Sequence, residues 1–369
     1  MRRRRYVVAP VVLVVLVLLA ILGAQLRSGA PGGQSAKIGT GSTVGQSVPT
    51  LLLAHTNPAG RVDLAAVAGV ARNGRDASIL LIPTLTAAET PSFDPQLVAD
   101  QLTLGSPQLL HTTVENLLGV RIDQTAVLDT AALVDVFGAA GPLTVNLRDP
   151  VEVQGADQGR AFRAGTQQLT PADAVTLLTT TVRSGELDHL VTVQALFEGW
   201  LQALKSPQIA AASAARAPGL ATLVAAAKAS TSFSTLPVDG ISGGVGERYQ
   251  VRADTLGPAM RAAFPDQLLG AGGRRPRVEI LNGTGVVGLV QKVAAVVVPA
   301  GAEVVKTDNV PGFGQSASRV VYYRDGNRAA AAALLQALGA GVLRQEGRDI
   351  GVFDITIIVG ADFKSPPGT

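Results

Sequence analysis

Arg277-Val278-Glu279-Ile280-Leu281-Asn282-Gly283-Thr284-Gly285-Val286-Val287-Gly288-Leu289 carries the strongest structural signal in the chain. An apolar strand over 277–282 runs into Asn-Gly-Thr-Gly and then into helical spacing over 285–298, a strand-turn-helix unit. Downstream, the pattern reads as strand 302–307, strand 318–323, helix 327–338, a short edge around Val342 and strand 353–359. Mixed strands and helices of this kind specify an α/β domain, here 277–365, and not a helix bundle. Gly283, Gly285 and Gly288 also spell the Gly-x-Gly-x-x-Gly fingerprint, and Glu303 stands where a dinucleotide site places its ribose-binding acid. A domain of about 90 residues lacks the paired halves that a dinucleotide needs. We therefore read Asn282, Gly283, Gly285 and Gly288 as a tight turn that lets backbone pack closely. The free amides at the following helix start favour an anion over a nucleotide.

Upstream, Leu-Gly-Ala-Gly-Gly-Arg-Arg-Pro interrupts the pattern, so 265–276 reads as a linker. Arg274-Arg275-Pro276-Arg277 within it is the one basic cluster beyond the N-terminus and reads as a solvated junction. Residues 49–264 mix strands (50–55, 76–82, 143–147) with helices. Asp94-Pro95 reads as an N-cap with proline at the first helical position, leading to Leu102. Ser106-Pro107 repeats that device, and the helix runs to Leu118 before Gly119 stops it. Further helices are expected over 131–137, 171–181, 190–204 and 209–229, the last broken near Pro218-Gly219.

At the N-terminus, Arg2–Arg5 precede an apolar run from Tyr6 to Ala24, about 19 residues or ~28 Å as a helix. Residues 1–5 are expected as a cytoplasmic tail, 6–26 as an uncleaved single-pass anchor and 27–48 as a Gly/Ser/Gln-rich flexible linker. The bulk of the chain is then extracytoplasmic. The formal net charge is +3, and Arg2–Arg5 contribute four units of it, so the exported part is close to −1. That balance, with aromatics at 4%, gives no footing for nucleic-acid binding. The absence of cysteine excludes a zinc-thiolate or redox centre. His55 closes a strand, His111 sits within a helix and His189 reads as a loop residue. Their spacing offers no histidine metal site, and no acid or hydroxyl is recognisable as a triad partner. Trp200 reads as core.

Several segments of 49–264 follow one family closely: Thr50-Leu51-Leu52-Leu53-Ala54-His55-Thr56-Asn57, Ser78-Ile79-Leu80-Leu81-Ile82-Pro83-Thr84-Leu85-Thr86, Thr113-Val114-Glu115-Asn116-Leu117-Leu118-Gly119-Val120-Arg121-Ile122-Asp123, Leu133-Val134-Asp135-Val136-Phe137-Gly138 and Gly165-Thr166-Gln167-Gln168-Leu169. They resemble the catalytic domain of LytR-CpsA-Psr proteins. The strand-turn-helix at 277–289, with Ala361-Asp362-Phe363, resembles the C-terminal domain attached to such proteins. The resemblance implies a mixed-sheet α/β/α domain followed by a smaller α/β domain. It also implies transfer of a glycopolymer from a polyprenyl pyrophosphate carrier to the cell wall, with arginines and a carboxylate-held magnesium ion stabilising the leaving group.

The residues that would do this are replaced. Pro49 stands for an expected aspartate, Thr84-Leu85 for Arg-Asp, Thr179 and Thr181 for an Arg-x-Arg pair, and Leu190 and Val193 for two later arginines. Arg183, Asp188 and Gln194 are the remnants. Threonine and leucine neither neutralise a pyrophosphate nor hold magnesium. No catalytic residue and no cofactor are therefore expected, and the domain reads as a pseudoenzyme. Its role would be that of an accessory or scaffold that meets the membrane and a lipid carrier, a wall glycan or an active family member. The alternative is an active phosphotransferase using Mg2+ with Arg183, Asp188 and Asp76. The Ala/Gly/Val-rich, cysteine-free composition suggests an actinobacterial source.

Overall fold

In a computed structural model of the chain, which describes residues 49–154, 159–242, 246–347 and 351–365, two five-stranded sheets organise the molecule. The expected tail, anchor and linker over 1–48 lie outside the described residues. Among those described, no helix is long and apolar enough to cross a membrane.

The first sheet is built from β1 (Thr50–Thr56), β2 (Val62–Val70), β3 (Asp76–Ile82), β4 (Gln124–Asp129) and β7 (Ser230–Thr235), in the order β7-β3-β2-β1-β4. Two further strands, β5 (Leu143–Leu147) and β6 (Gly165–Leu169), form a separate antiparallel ribbon. β2 is antiparallel to β1 and β3, while β1 is parallel to β4 and β3 to β7. Side chains alternate across a strand, and here both faces are covered. Leu51, Leu53, Leu64, Ala66, Ile79 and Leu81 enter one core. Leu52, Ala54, Ala65, Val67, Leu80 and Ile82 enter another on the opposite face. Helices α2 (Thr130–Ala140), α3 (Pro171–Thr179), α4 (Glu186–Leu204), α5 (Pro207–Arg216) and α6 (Ala221–Ala227) cover the first face. Helices α1 (Pro107–Leu118) and α7 (Ala253–Ala263) cover the second. This is the expected α/β/α arrangement.

The second sheet comprises β8 (Arg277–Asn282), β9 (Glu303–Asn309), β10 (Arg319–Tyr322), β11 (Val342–Gln345) and β12 (Ile355–Val359), in the order β9-β8-β12-β10-β11. Only β10 and β12 pair antiparallel. Helices α8 (Leu289–Val297) and α9 (Arg328–Leu338) bury one face through Val290, Val293, Val297, Leu334 and Leu338. Glu279, Thr356, Tyr323 and Lys306 form a polar network on this sheet.

Two expectations need correction. No helix starts at Asp94-Pro95: Gln96–Leu97 is a short strand, followed by a 3-10 turn over Val98–Asp100 and one α-helical turn over Gln101–Leu104. His189 is not in a loop but in the first turn of α4. In the basic cluster Arg274 and Arg277 are exposed and Arg275 and Pro276 half-buried, and the residues just ahead of it are tied down. Arg121 N donates to Gln267 O (2.8 Å), Leu269 N donates to Gly119 O (2.8 Å) and the Gln267 side chain donates to Val70 O (2.9 Å), so this stretch is laid against the first domain.

The two sheets are joined by a buried amide. Asn116 on α1 donates to Val304 O (2.8 Å) and accepts from Val304 N (2.9 Å), pairing the outer edge of β9 across a separation of 188 residues. Its neighbour Glu115 is buried, accepts from Ile122 N (3.0 Å) and leaves Oε2 without a hydrogen-bond partner. Thr113 bonds Gln101, and Asp123 accepts from Thr50 N. The Thr113–Asp123 segment is thus a buried polar framework, which explains its residue types without chemistry.

Candidate functional site at the carboxyl end of the first sheet

Ligands of open α/β sheets bind outside the carboxyl ends of the strands. Here that edge gathers His55 from β1, Asp63 from the start of β2, Thr84 and Leu85 after β3, and Thr130 after β4. Asp63 Oδ1 lies 2.5 Å from His55 Nδ1, and His55 Nε2 lies 3.1 Å from Thr130 Oγ1. The carboxylate on Nδ1 orients the ring so that Nε2 faces the threonine hydroxyl. Nothing in the sequence announces this row of side chains, because Thr130 is 75 residues from His55. His55 is 1% exposed, so the ring is a buried strut between strands.

The loop after β3 is held by Glu186, the first residue of α4. Its carboxylate accepts from Thr84 N (2.5 Å), Thr84 Oγ1 (2.7 Å) and Leu85 N (3.1 Å). Glu186 N donates in turn to Glu247 Oε2 (3.1 Å), the Tyr249 hydroxyl donates to Glu247, and Tyr249 N donates to Leu85 O (3.0 Å). Burial pushes the Glu186 carboxyl upward, the Thr84 and Leu85 donors pull it back, and the Glu247 charge adds to the rise. Burial, and then Glu247, push the Tyr249 phenol upward. Where a pyrophosphate site needs cations, this edge therefore carries two adjacent carboxylates. Glu186 is not among the expected site residues, although an acid in the first turn of a helix is a recognisable start signal.

The other expected positions do not converge here. Pro49 is exposed at the far end of β1, on the order of 20 Å away along a strand of this length. Thr179 Oγ1 donates to Val175 O (3.0 Å) at the end of α3, and Thr181 is exposed. Arg183 and Asp188 are exposed, and Gln194 donates to Glu198 (2.9 Å). Asp76 accepts from Asn73 (2.7 Å) at the start of β3, the edge opposite Thr84. Leu190 and Val193 are buried in the core with Phe137, Phe197 and Trp200. The Phe137 and Trp200 rings meet edge-on at 4.9 Å. Leu223, Ala226 and Ala227 of α6, with Leu220 just ahead of it, close the same core, so α6 packs against it as an ordinary helix. His189 Nε2 lies 3.2 Å from Leu178 O, and burial lowers the imidazole.

In the second domain, Asn282 Oδ1 accepts from Thr284 N (3.0 Å), Thr284 Oγ1 (3.1 Å) and Gly285 N (3.1 Å), and Nδ2 donates to Val286 O (3.0 Å). Gly285 (φ 81°) and Gly288 (φ 76°) take left-handed conformations. A Cβ at Gly283 would meet Val359 O at 2.4 Å. Glu303 registers with Arg277 at the start of β8, the end opposite the glycine turn. The arrangement is a self-bonded turn from which Glu303 is remote, while Asp308 near the end of β9 is the acid on the side of the glycines.

Residues 275–363 match the family described as LytR cell envelope-related transcriptional attenuator. The chain is 26% identical over 188 residues to the probable cell wall biosynthesis protein LcpB of Corynebacterium glutamicum. That match covers 51% of this chain and 42% of LcpB, so less than half of the relative's length is represented. Crystal structures of two B. subtilis proteins share the fold. TagV does so with a TM-score of 0.51 at 15% identity, over 60% of this chain and 97% of that one. TagT does so with 0.50 at 18% identity, over 64% and 98%. The likeness in sequence is thus to a LytR-type C-terminal domain and to part of LcpB, and the likeness to TagV and TagT is one of fold.

Proposed function

We propose, on that kinship, that the protein is a membrane-anchored, extracytoplasmic LytR-CpsA-Psr member that serves cell-wall glycopolymer assembly without catalysing the transfer. The observation that carries this reading is the Glu186 bridge to Thr84 and Leu85. At the loop where the resemblance implies Arg-Asp, a carboxylate closes the backbone, and Glu247 lies beside it. Like charges there oppose a pyrophosphate. The donor set also does not fit magnesium, which takes open oxygen ligands. Glu186 already accepts from three protein donors and Asp63 is tied to His55. Among the described residues, no group of three histidine or carboxylate side chains gathers at a metal-sized spot. The role left is a scaffold that holds a wall glycan, a lipid carrier or an active relative. The test is turnover: full-length protein in neutral detergent is given a polyprenyl-pyrophosphate-linked glycan, wall acceptor and Mg2+. No release of polyprenyl phosphate above the protein-free control is expected, and Mg2+-dependent release defeats the proposal.

A further inference from the structure

A cavity of about 860 Å³ lies where the first domain, the 268–276 stretch and the second domain meet, away from the sheet edge described above. Arg121, Arg274, Arg275 and Arg324 line it, against one acid, Asp354. Asp354 is already engaged, accepting from Arg277 N (2.9 Å) and Asn327 Nδ2 (3.2 Å). Among the described residues, Arg121, Arg274 and Arg275 have no carboxylate within ion-pair distance, whereas Arg61, Arg72, Arg216 and Arg252 each do.

Arg275 is the most constrained of these cations. Its side chain lies flat against Gly119, where a Cβ would sit 2.9 Å from Nε and 3.1 Å from Cζ. Gly119 is in the left-handed conformation (φ 64°) that ends α1, so one glycine both closes the helix and makes room for the guanidinium. Of five N–H donors, Arg275 spends one, on Ala302 O at 3.4 Å. None of its nitrogens is both sealed and unpaired, so the remaining donors open on the cavity. Glu115, a nearby buried acid, is held protonated at neutral pH by burial, with its carboxyl pushed up to about 8. It therefore supplies little countercharge.

The geometry points to a binding site for a phosphate-bearing ligand in this cavity, with Arg121, Arg274 and Arg275 as its anion contacts. Forked guanidinium donors match phosphate oxygens bidentately, and Arg121, Arg274 and Arg275 together outnumber Glu303, the acid whose charge reaches Arg275, which suits a dianion better than a single carboxylate. The volume exceeds that of a bare phosphate, and the remaining wall (Leu268, Pro276, Pro299, Ala330, Leu334) accepts an uncharged body. Two sources share this chemistry, a phospholipid headgroup and a soluble phosphate.

Calorimetric titration of inorganic phosphate into the full chain in neutral detergent, at constant ionic strength, tests the assignment. Saturable binding is expected, weakened about tenfold by Arg274→Gln and further by Arg121→Gln with it. Both residues are exposed, so these variants should fold. Arg163→Gln, an exposed arginine elsewhere, should leave binding unchanged. Adding phosphatidylglycerol to the micelles separates the sources: displaced phosphate identifies a headgroup site, undisturbed phosphate a soluble ligand. No saturable binding, or binding indifferent to both cavity variants, overturns the assignment.

Discussion

Asn116→Leu is expected to lower unfolding free energy by about 3–5 kcal/mol, because it strands both polar groups of Val304 in a buried edge. Asparagine is the residue whose side chain mimics a peptide unit, and here it completes β9 as a further strand would. Leucine matches its volume but supplies neither donor nor acceptor. The N–H and C=O of Val304 would then lose protein partners in a place that water does not reach. Denaturant unfolding followed by Trp200 fluorescence, together with amide exchange at Val304, measures the effect. A loss below about 0.5 kcal/mol, within the range of ordinary surface substitutions, would mean the junction is not held this way.

Glu115→Gln is expected to raise stability by about 2–4 kcal/mol at pH 8 and by much less at pH 5. In the folded chain the Glu115 carboxyl is pushed up to about 8 by burial, from a usual value of 4.5. Between those values the folded state holds more protons than the unfolded state, so stability falls as pH rises, and the full penalty is present above about 8. His111, one turn earlier, has the opposite sign. Burial lowers its imidazole to about 4 from 6.5, so its contribution rises with pH across that interval. The two slopes oppose each other between 4.5 and 6.5, and only that of Glu115 continues above. Glutamine keeps the acceptor for Ile122 N and puts an uncharged donor at the unpartnered Oε2 position. Melting temperatures of both proteins from pH 5 to 8 should diverge as pH rises. Parallel curves would show that Glu115 does not titrate in this range.

The strand-turn-helix at 277–289 was legible because its apolar residues alternate and its glycines sit where left-handed backbone is needed. The central strand β2 was not. Val62–Val70 is buried on both faces and rich in alanine, so it shows neither alternation nor a bulky apolar run. Helix α7 escaped because Gly257-Pro258 interrupts its interior, although the helix carries Met260 into the core. At the sheet edge, Thr84 and Leu85 could be read directly as residue types in a named segment. Their partners could not. Glu186 reaches Thr84 across 102 residues, and His55 reaches Thr130 across 75. Periodicity carries no information about pairs that tertiary folding alone brings together. The same holds for the four arginines of the cavity, which come from three separate stretches of the chain.

Native mass spectrometry of the full-length protein with a polyprenyl pyrophosphate, with and without Mg2+ and repeated with Arg274→Gln, tests the loss of the transfer site most directly. Any bound lipid is expected to be indifferent to Mg2+ and to weaken with Arg274→Gln. A complex that requires Mg2+ and survives Arg274→Gln would contradict the loss of that site and return the protein to the phosphotransferases.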